Sequence, residues 1–368
     1  MENSCNFKDN FYIASIGKSR EQRMWNKIEQ IEPILKDLEN YKIEIKKIQL
    51  SDNSIGSEVA EALSLKIKNL ENLTHANFDN IFVSRVKEEL PKALYFLVES
   101  LHNKNIFHLN LSDNAFGPIG VKSIENYISS NSSLKELYVE NCGLGPEGAE
   151  HLADILSSNK NLNLKKIRIG RNRLENKGAT AFGKYFKLIG NKSLTSFVAF
   201  QNGIKEEGMK NLLAGLVIDD ESTEYKLQCL KLNDNFIEGD GFTALINLLQ
   251  ENKLLNKLEI LDVSDCKIGS ENSINLFNSI SKSNSIKEIY CNYNDIEDSE
   301  SQNAIFKHLQ LNLKHKLDKL EIKGNEIKKS VFKKLKTNEN TEYVDCYSES
   351  EMDIDELEDL MSNLNIKK

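Results

Sequence analysis

The sequence predicts an α/β fold: a curved solenoid with parallel strands along its inner face and helices along its outer face. Two observations predict it. The phrase apolar-x-apolar-x-x-Asn/Cys-x-apolar returns about every thirty residues, and an amphipathic stretch follows each copy. The first copy is Ile48-x-Leu50-x-x-Asn53-x-Ile55. The same frame then centres on Asn114, Cys142, Asn172, Asn202, Asn235, Cys266, Asn294 and Asn325. From Asn114 onward the steps are 28, 30, 30, 33, 31, 28 and 31 residues, enough for a strand, a turn and a full helix in each unit.

The strand comes first in each unit. Its alternate apolar pair points inward, as Leu109 and Leu111 or Ile167 and Ile169 do. The Asn or Cys that follows turns under the sheet to satisfy backbone groups that lack a partner, since leaving one unsatisfied costs about 1–3 kcal/mol. These Asn residues are therefore read as structural. The helix is legible after a glycine six residues on: Gly120, Gly148, Gly178, Gly208 and Gly241. Apolar positions four, seven and eight further form one stripe, as in Leu152, Ile155 and Leu156. This is the leucine-rich repeat signature, and the expected shape is a horseshoe. The step from Asn53 to Asn114 is 114 − 53 = 61 residues, so a degenerate copy lies between them, with Asn80-Ile81-Phe82 as its expected turn. The charged segment Ser84 to Pro91 follows that turn.

Three segments are expected: an N-terminal helical cap over 1–42, about ten repeats over 43–335, and an acidic tail over 336–368. Ser19 to Tyr41 has helical periodicity, with Trp25, Ile28, Ile31 and Leu35 apolar. Glu349 to Asp359 holds seven acidic residues and no basic one. The net charge of −8 argues against nucleic acid as the main ligand. No stretch is apolar enough to span a membrane, and Met1 to Ser19 lacks a signal-peptide layout. The six cysteines show no paired spacing, which points to a reduced compartment, the cytoplasm, with a perinuclear position as a variant of it. A monomer is expected.

The sequence carries little catalytic chemistry. Gly17-Lys18-Ser19 matches the end of a phosphate-binding loop, but Tyr12 stands where its first glycine belongs. The six histidines have no metal-ligand spacing, and no nucleophile sits in a recognisable elbow. No cofactor and no metal is expected. Residue chemistry alone leads to a protein-binding scaffold of ribonuclease-inhibitor type.

Five strings go further: Phe82-Val83-Ser84-Arg85-Val86-Lys87-Glu88-Glu89-Leu90-Pro91, Leu111-Ser112-Asp113-Asn114-Ala115-Phe116-Gly117-Pro118, Glu140-Asn141-Cys142-Gly143-Leu144-Gly145-Pro146, Gly170-Arg171-Asn172-Arg173-Leu174-Glu175-Asn176 and Gln201-Asn202-Gly203-Ile204. In this order and spacing, residues 43–330 resemble the GTPase-activating proteins of the small GTPase Ran. The resemblance implies a trans-acting activator of GTP-bound Ran that serves nucleocytoplasmic transport. Ran brings its own GTP, Mg²⁺ and catalytic glutamine. The activator docks its loop rim and orders that glutamine, with no arginine finger. The alternative is a stoichiometric binding or inhibitor scaffold on the same solenoid.

By resemblance, Asn141 is the asparagine that places Ran's glutamine, and Arg85 is the arginine that supports the interface by holding loop geometry or pairing with acids of Ran. The plainer readings are a turn-stabilising asparagine and a local pair of Arg85 with Glu88 or Glu89. The residue before each Asn/Cys position forms a polar row, and from it and its surroundings Lys87, Asp113, Arg171, Gln201 and Asp234 are expected partner contacts. Two positions depart from the family: Ser84 replaces a usual glycine, and Cys142 a usual asparagine.

Overall fold

The computed structural model describes residues 6–14, 19–190, 192–218, 224–250, 252–312, 317–325, 327 and 342–344. Among them runs a thirteen-stranded sheet in chain order. Every neighbouring pair is parallel except the first hairpin, Asn6–Lys8 with Phe11–Ile13. Ile48, Ala76, Leu109, Leu137, Ile167, Phe197, Leu230, Leu261, Ile289 and Leu320 stand side by side in one register. All ten are buried. A helix follows most strands and packs against the helices before and after it, so the core is one continuous layer between sheet and helices.

The register uncovers the degenerate copy. It reads Ala76-x-Phe78-x-x-Ile81, with a small residue for the first leucine and an isoleucine in the Asn/Cys position. Asn80 makes the turn, as expected. The asparagines form the internal ladder that burial logic requires. Asn114 Oδ1 accepts the Ile81 N–H at 2.8 Å, and its Nδ2 donates to the Phe78 and Leu111 carbonyls at 2.7 and 2.8 Å. Asn172 does the same for Cys142 N–H and the Val139 carbonyl. Asn202, Asn235, Asn294 and Asn325 continue the pattern. Cys142 supplies only the donor half, with Sγ 3.2 Å from the Leu111 carbonyl. Ile81 supplies neither half.

Both ends differ from expectation. The first segment caps the sheet with strands, not with a helix alone. The hairpin at 6–13 adds to the sheet beside Lys47–Gln49. The helix expected over Ser19 to Tyr41 occupies only Glu32–Asn40, after a short 3-10 turn at Ile28–Ile31. Pro33 explains the late start: without an N–H, and with its ring against the preceding turn, proline fits a first helical turn but not an interior. The buried stripe is Ile31, Ile34 and Leu38, while Ile28 is exposed and Leu35 partly buried. At the other end Glu342–Val344 pairs with Lys319–Glu321 and carries the sheet past residue 335. The acidic stretch 349–359 and the Gly17-Lys18 pair lie outside the described residues.

Candidate functional site

A rim forms where the strands turn toward the helices, and one backbone feature organises it. The residue before each ladder position is left-handed: Asp52, Asn80, Asp113, Asn141, Arg171, Gln201, Asp234, Asp265 and Tyr293 have φ between 50° and 61°. Asn and Asp enter this region most easily of the non-glycine residues. The polar row is thus partly a backbone requirement. From Asn80 on, each of these residues also ties its N–H to a carbonyl one repeat on, as Asn80 to Ser112, Asp113 to Glu140, Asn141 to Gly170 and Arg171 to Phe200 do at 2.8–2.9 Å. Asn80 and Tyr293 belong to the row and were missed in the sequence. The strand register is the signal that finds Asn80, because its own repeat lacks the usual leucine and asparagine.

Asn141 sits in the middle of this rim, half-buried. Its Nδ2 donates to Asp113 Oδ1 at 2.7 Å across the 28 residues between them. The structure therefore brings together two of the residues singled out in the sequence. Asp113 is exposed beside it, and Arg171 is exposed on the following loop. Gly170, one residue earlier, lies under the Phe200 ring, where an added Cβ would fall 2.3 Å from a ring carbon. Glycine in the Gly-Arg-Asn-Arg-Leu-Glu-Asn string thus makes room for an aromatic ring at the edge of the rim.

Arg85 behaves differently. Its side chain is only 9% exposed. Its guanidinium donates to Asn26 Oδ1 at 2.6 Å, to the Trp25 carbonyl at 3.0 Å and to the Ser54 carbonyl. Gly56 has no side chain to lift it off this backbone: a Cβ there would meet Nη1 at 3.2 Å. Burial lowers the guanidinium pKa, and Glu89, 3.9 Å away, opposes the shift. The expected local pair with Glu89 is present but long. The dominant partners are Trp25 and Asn26 of the N-terminal segment and the Ser54 carbonyl of the first repeat, a role the sequence did not show. Ser84 beside it has φ +62°, in the left-handed region that glycine favours. Its hydroxyl accepts from Arg20.

The other expected contacts fall along the rim. Lys87 is exposed, as are Val83 and Val86 of the same segment. Gln201 is exposed and hydrogen-bonds the Asp234 carboxyl, whose pKa is raised by burial and by Asp265. An open cavity lies elsewhere, at the N-terminal end of the inner sheet. It measures about 850 Å³ and is lined by Phe7, Phe11, Lys47, His75 and His108, among others. Beside it Glu136 holds His108 Nδ1 and Lys166 Nζ, each at 2.9 Å. No helix among the described residues is long and apolar enough to cross a membrane.

Comparison with known proteins fits this picture. The leucine-rich repeat family pattern matches residues 102–124, 130–153, 160–183 and 255–271. Ran GTPase-activating protein 1 of Xenopus laevis is 33% identical over 191 residues, which cover 49% of this chain and 32% of that one. Ran GTPase-activating protein 1 of Saccharomyces cerevisiae is 28% identical over 318 residues, 81% of this chain and 75% of that one. The Ran GTPase-activating protein of Drosophila melanogaster is 30% identical over 200 residues, 51% of this chain and 33% of that one. The chain thus spans about a third of the length of the two animal relatives and three quarters of the yeast one. Repeat frame, fold and similarity agree: the chain carries leucine-rich repeats and is similar to Ran GTPase-activating proteins.

Proposed function

We propose that this chain docks the rim of its solenoid on GTP-bound Ran and accelerates GTP hydrolysis in trans, as a monomer in the cytoplasm. The observation that carries the reading is the placement of Asn141. It is fixed at its backbone by neighbouring repeats yet keeps part of its side chain at the surface. In the proposal this chain provides no acid, base or nucleophile. Asn141 orders the glutamine that Ran brings, so the attacking water is held more of the time in line with the γ-phosphate. Such positioning contributes several kcal/mol, roughly, to a barrier of this kind.

Arg85 has a supporting part. Its guanidinium already serves three acceptors of its own chain. That arrangement favours a residue that holds the 82–89 loop over one that enters a partner's active centre. Lys87, Asp113, Arg171, Gln201 and Asp234 are the proposed rim positions around Ran. Their mixed charge suits a guided encounter with fast exchange. The names of the relatives do not favour a stoichiometric inhibitor. The test is phosphate release from GTP-loaded Ran and other small GTPases with the chain at about one part per hundred. Many turnovers per chain, with Ran alone, are expected. Tight binding without acceleration would leave the inhibitor scaffold instead.

A further inference from the structure

We propose that Asp113 is a positioning residue: it turns the Asn141 amide so that the carbonyl oxygen, not the NH₂, faces a docked partner. This rests on the docking reading above. An ionised carboxylate can only accept hydrogen bonds. The 2.7 Å contact with Asp113 Oδ1 therefore assigns the nitrogen end of the Asn141 amide. Among the described residues no hydrogen bond to Asn141 Oδ1 is found, so that oxygen is left for a partner. The backbone fixes the pair. Both residues are left-handed, at φ +61° and +51°. Their N–H groups are tied to Glu140 and Gly170 at 2.8 and 2.9 Å, which locks adjacent repeats in register.

The polarity selects the chemistry of what docks. A lone carbonyl oxygen receives a donor: a primary amide NH₂, an ammonium or a backbone N–H. A glutamine held through its NH₂ keeps its own carbonyl oxygen free to accept a proton of the attacking water. With the Asn141 amide reversed, the glutamine would be gripped by that oxygen and would turn its NH₂ to the water, the wrong polarity for drawing a proton. The fold builds the same bridge once more on the described rim. Asn80 Nδ2 donates to Asp52 Oδ1 at 2.8 Å, with φ +52° and +61°. That second bridge is the internal control.

Two readouts test the proposal. In stimulated hydrolysis by Ran, Asp113→Ala and Asp113→Asn should lower kcat about 10- to 100-fold, whatever rise in KM its place on the rim adds, and Asp113→Glu should recover part of the loss in kcat. In the free chain, the Asn141 side-chain amide resonances should depend on the Asp113 side chain. Asp113→Ala should move them, while Asp52→Ala leaves them in place and moves those of Asn80. A full kcat in Asp113→Ala, a rise in KM alone, or Asn141 resonances indifferent to Asp113 would overturn the proposal. Should the unmodified chain fail to stimulate Ran, the docking reading falls by itself, and the resonances still decide whether the bridge exists.

Discussion

The loop that carries Arg85 and the loop that carries Asn141 stand two strands apart, about 10 Å at ordinary strand spacing. They are held in opposite ways. Around Asn141 the ladder fixes the turn: Asn172 Oδ1 takes the Cys142 N–H at 2.9 Å, and the Asn141 N–H reaches Gly170. The Asn141 side chain lies outside the ladder and stays partly at the surface. In the Arg85 repeat Ile81 occupies the ladder position, and its side chain can make no hydrogen bond. There the arginine side chain takes over, binding carbonyls of the N-terminal segment and of the first repeat. A regular repeat leaves its rim side chain available to a partner, whereas an irregular one commits it to its own architecture. Two residues that one resemblance marks as functional thus act at different distances from any docked protein.

That contrast can be broken or sharpened by substitution. The largest effect is expected at Arg85. Arg85→Ala leaves the Trp25 and Ser54 carbonyls and the Asn26 amide without their charged donor, and should cost about 3–5 kcal/mol, read in urea unfolding and as early hydrogen exchange in residues 19–26. Arg85→Lys should recover less than half, because one ammonium cannot span three acceptors. Asn141→Ala should lower the stimulated rate about 100-fold, roughly 2.7 kcal/mol, at a stability cost of only about 1 kcal/mol for alanine in a left-handed turn. Asn114→Ala should do the reverse, losing about 2–3 kcal/mol of stability because the Ile81 N–H and the Phe78 carbonyl go unsatisfied. Matching phenotypes for Asn141→Ala and Asn114→Ala would erase the distinction between rim and ladder.

Smaller effects follow. Gly170→Ala forces the Phe200 ring aside and should cost about 1–3 kcal/mol, with some loss of stimulated rate because the Asn141 N–H hangs on the Gly170 carbonyl. Acidification should weaken the N-terminal half of the inner face. His75 titrates below its ordinary 6.5 because burial, then Lys47 and His108, disfavour its charged form. Glu136 titrates below its ordinary 4.5: burial opposes this, but its bonds with Lys166 and His108 outweigh burial. Both folded values are depressed, so both contributions are complete above the ordinary values and are lost as pH falls through the folded ones. Stability should therefore begin to fall below about pH 6.5, and His75→Gln should flatten the first part of that fall.

Period and burial made the solenoid legible before any coordinates. Nine copies of one frame, Leu109 and Leu111 to Leu320 and Ile322 among them, leave few other folds to bury the apolar pair. Asn114 and Asn172 were readable as ladder residues because buried backbone groups need partners. The rim row was readable by offset, though only where the frame was intact. Asn80 was read as a turn residue but not as a member of the row, because Ala76 and Ile81 disguise their repeat. The N-terminal segment was the least legible: helical periodicity in Ser19 to Tyr41 competes with Pro33, and a hairpin of three-residue strands leaves almost no pattern. The clasp of Arg85 on Trp25 and Ser54 could not be read at all, since it joins residues 60 and 31 positions apart through backbone carbonyls. No residue type marks such an acceptor.

The most direct measurement is phosphate release from GTP-loaded Ran at a hundredfold excess over this chain, run beside Asn141→Ala at the same dilution. The account predicts complete hydrolysis within minutes for the unmodified chain and a near-basal rate for the variant, with both proteins folded and melting within a few degrees of each other. Release at Ran's unaided rate in both reactions, or equal acceleration by both, would contradict it.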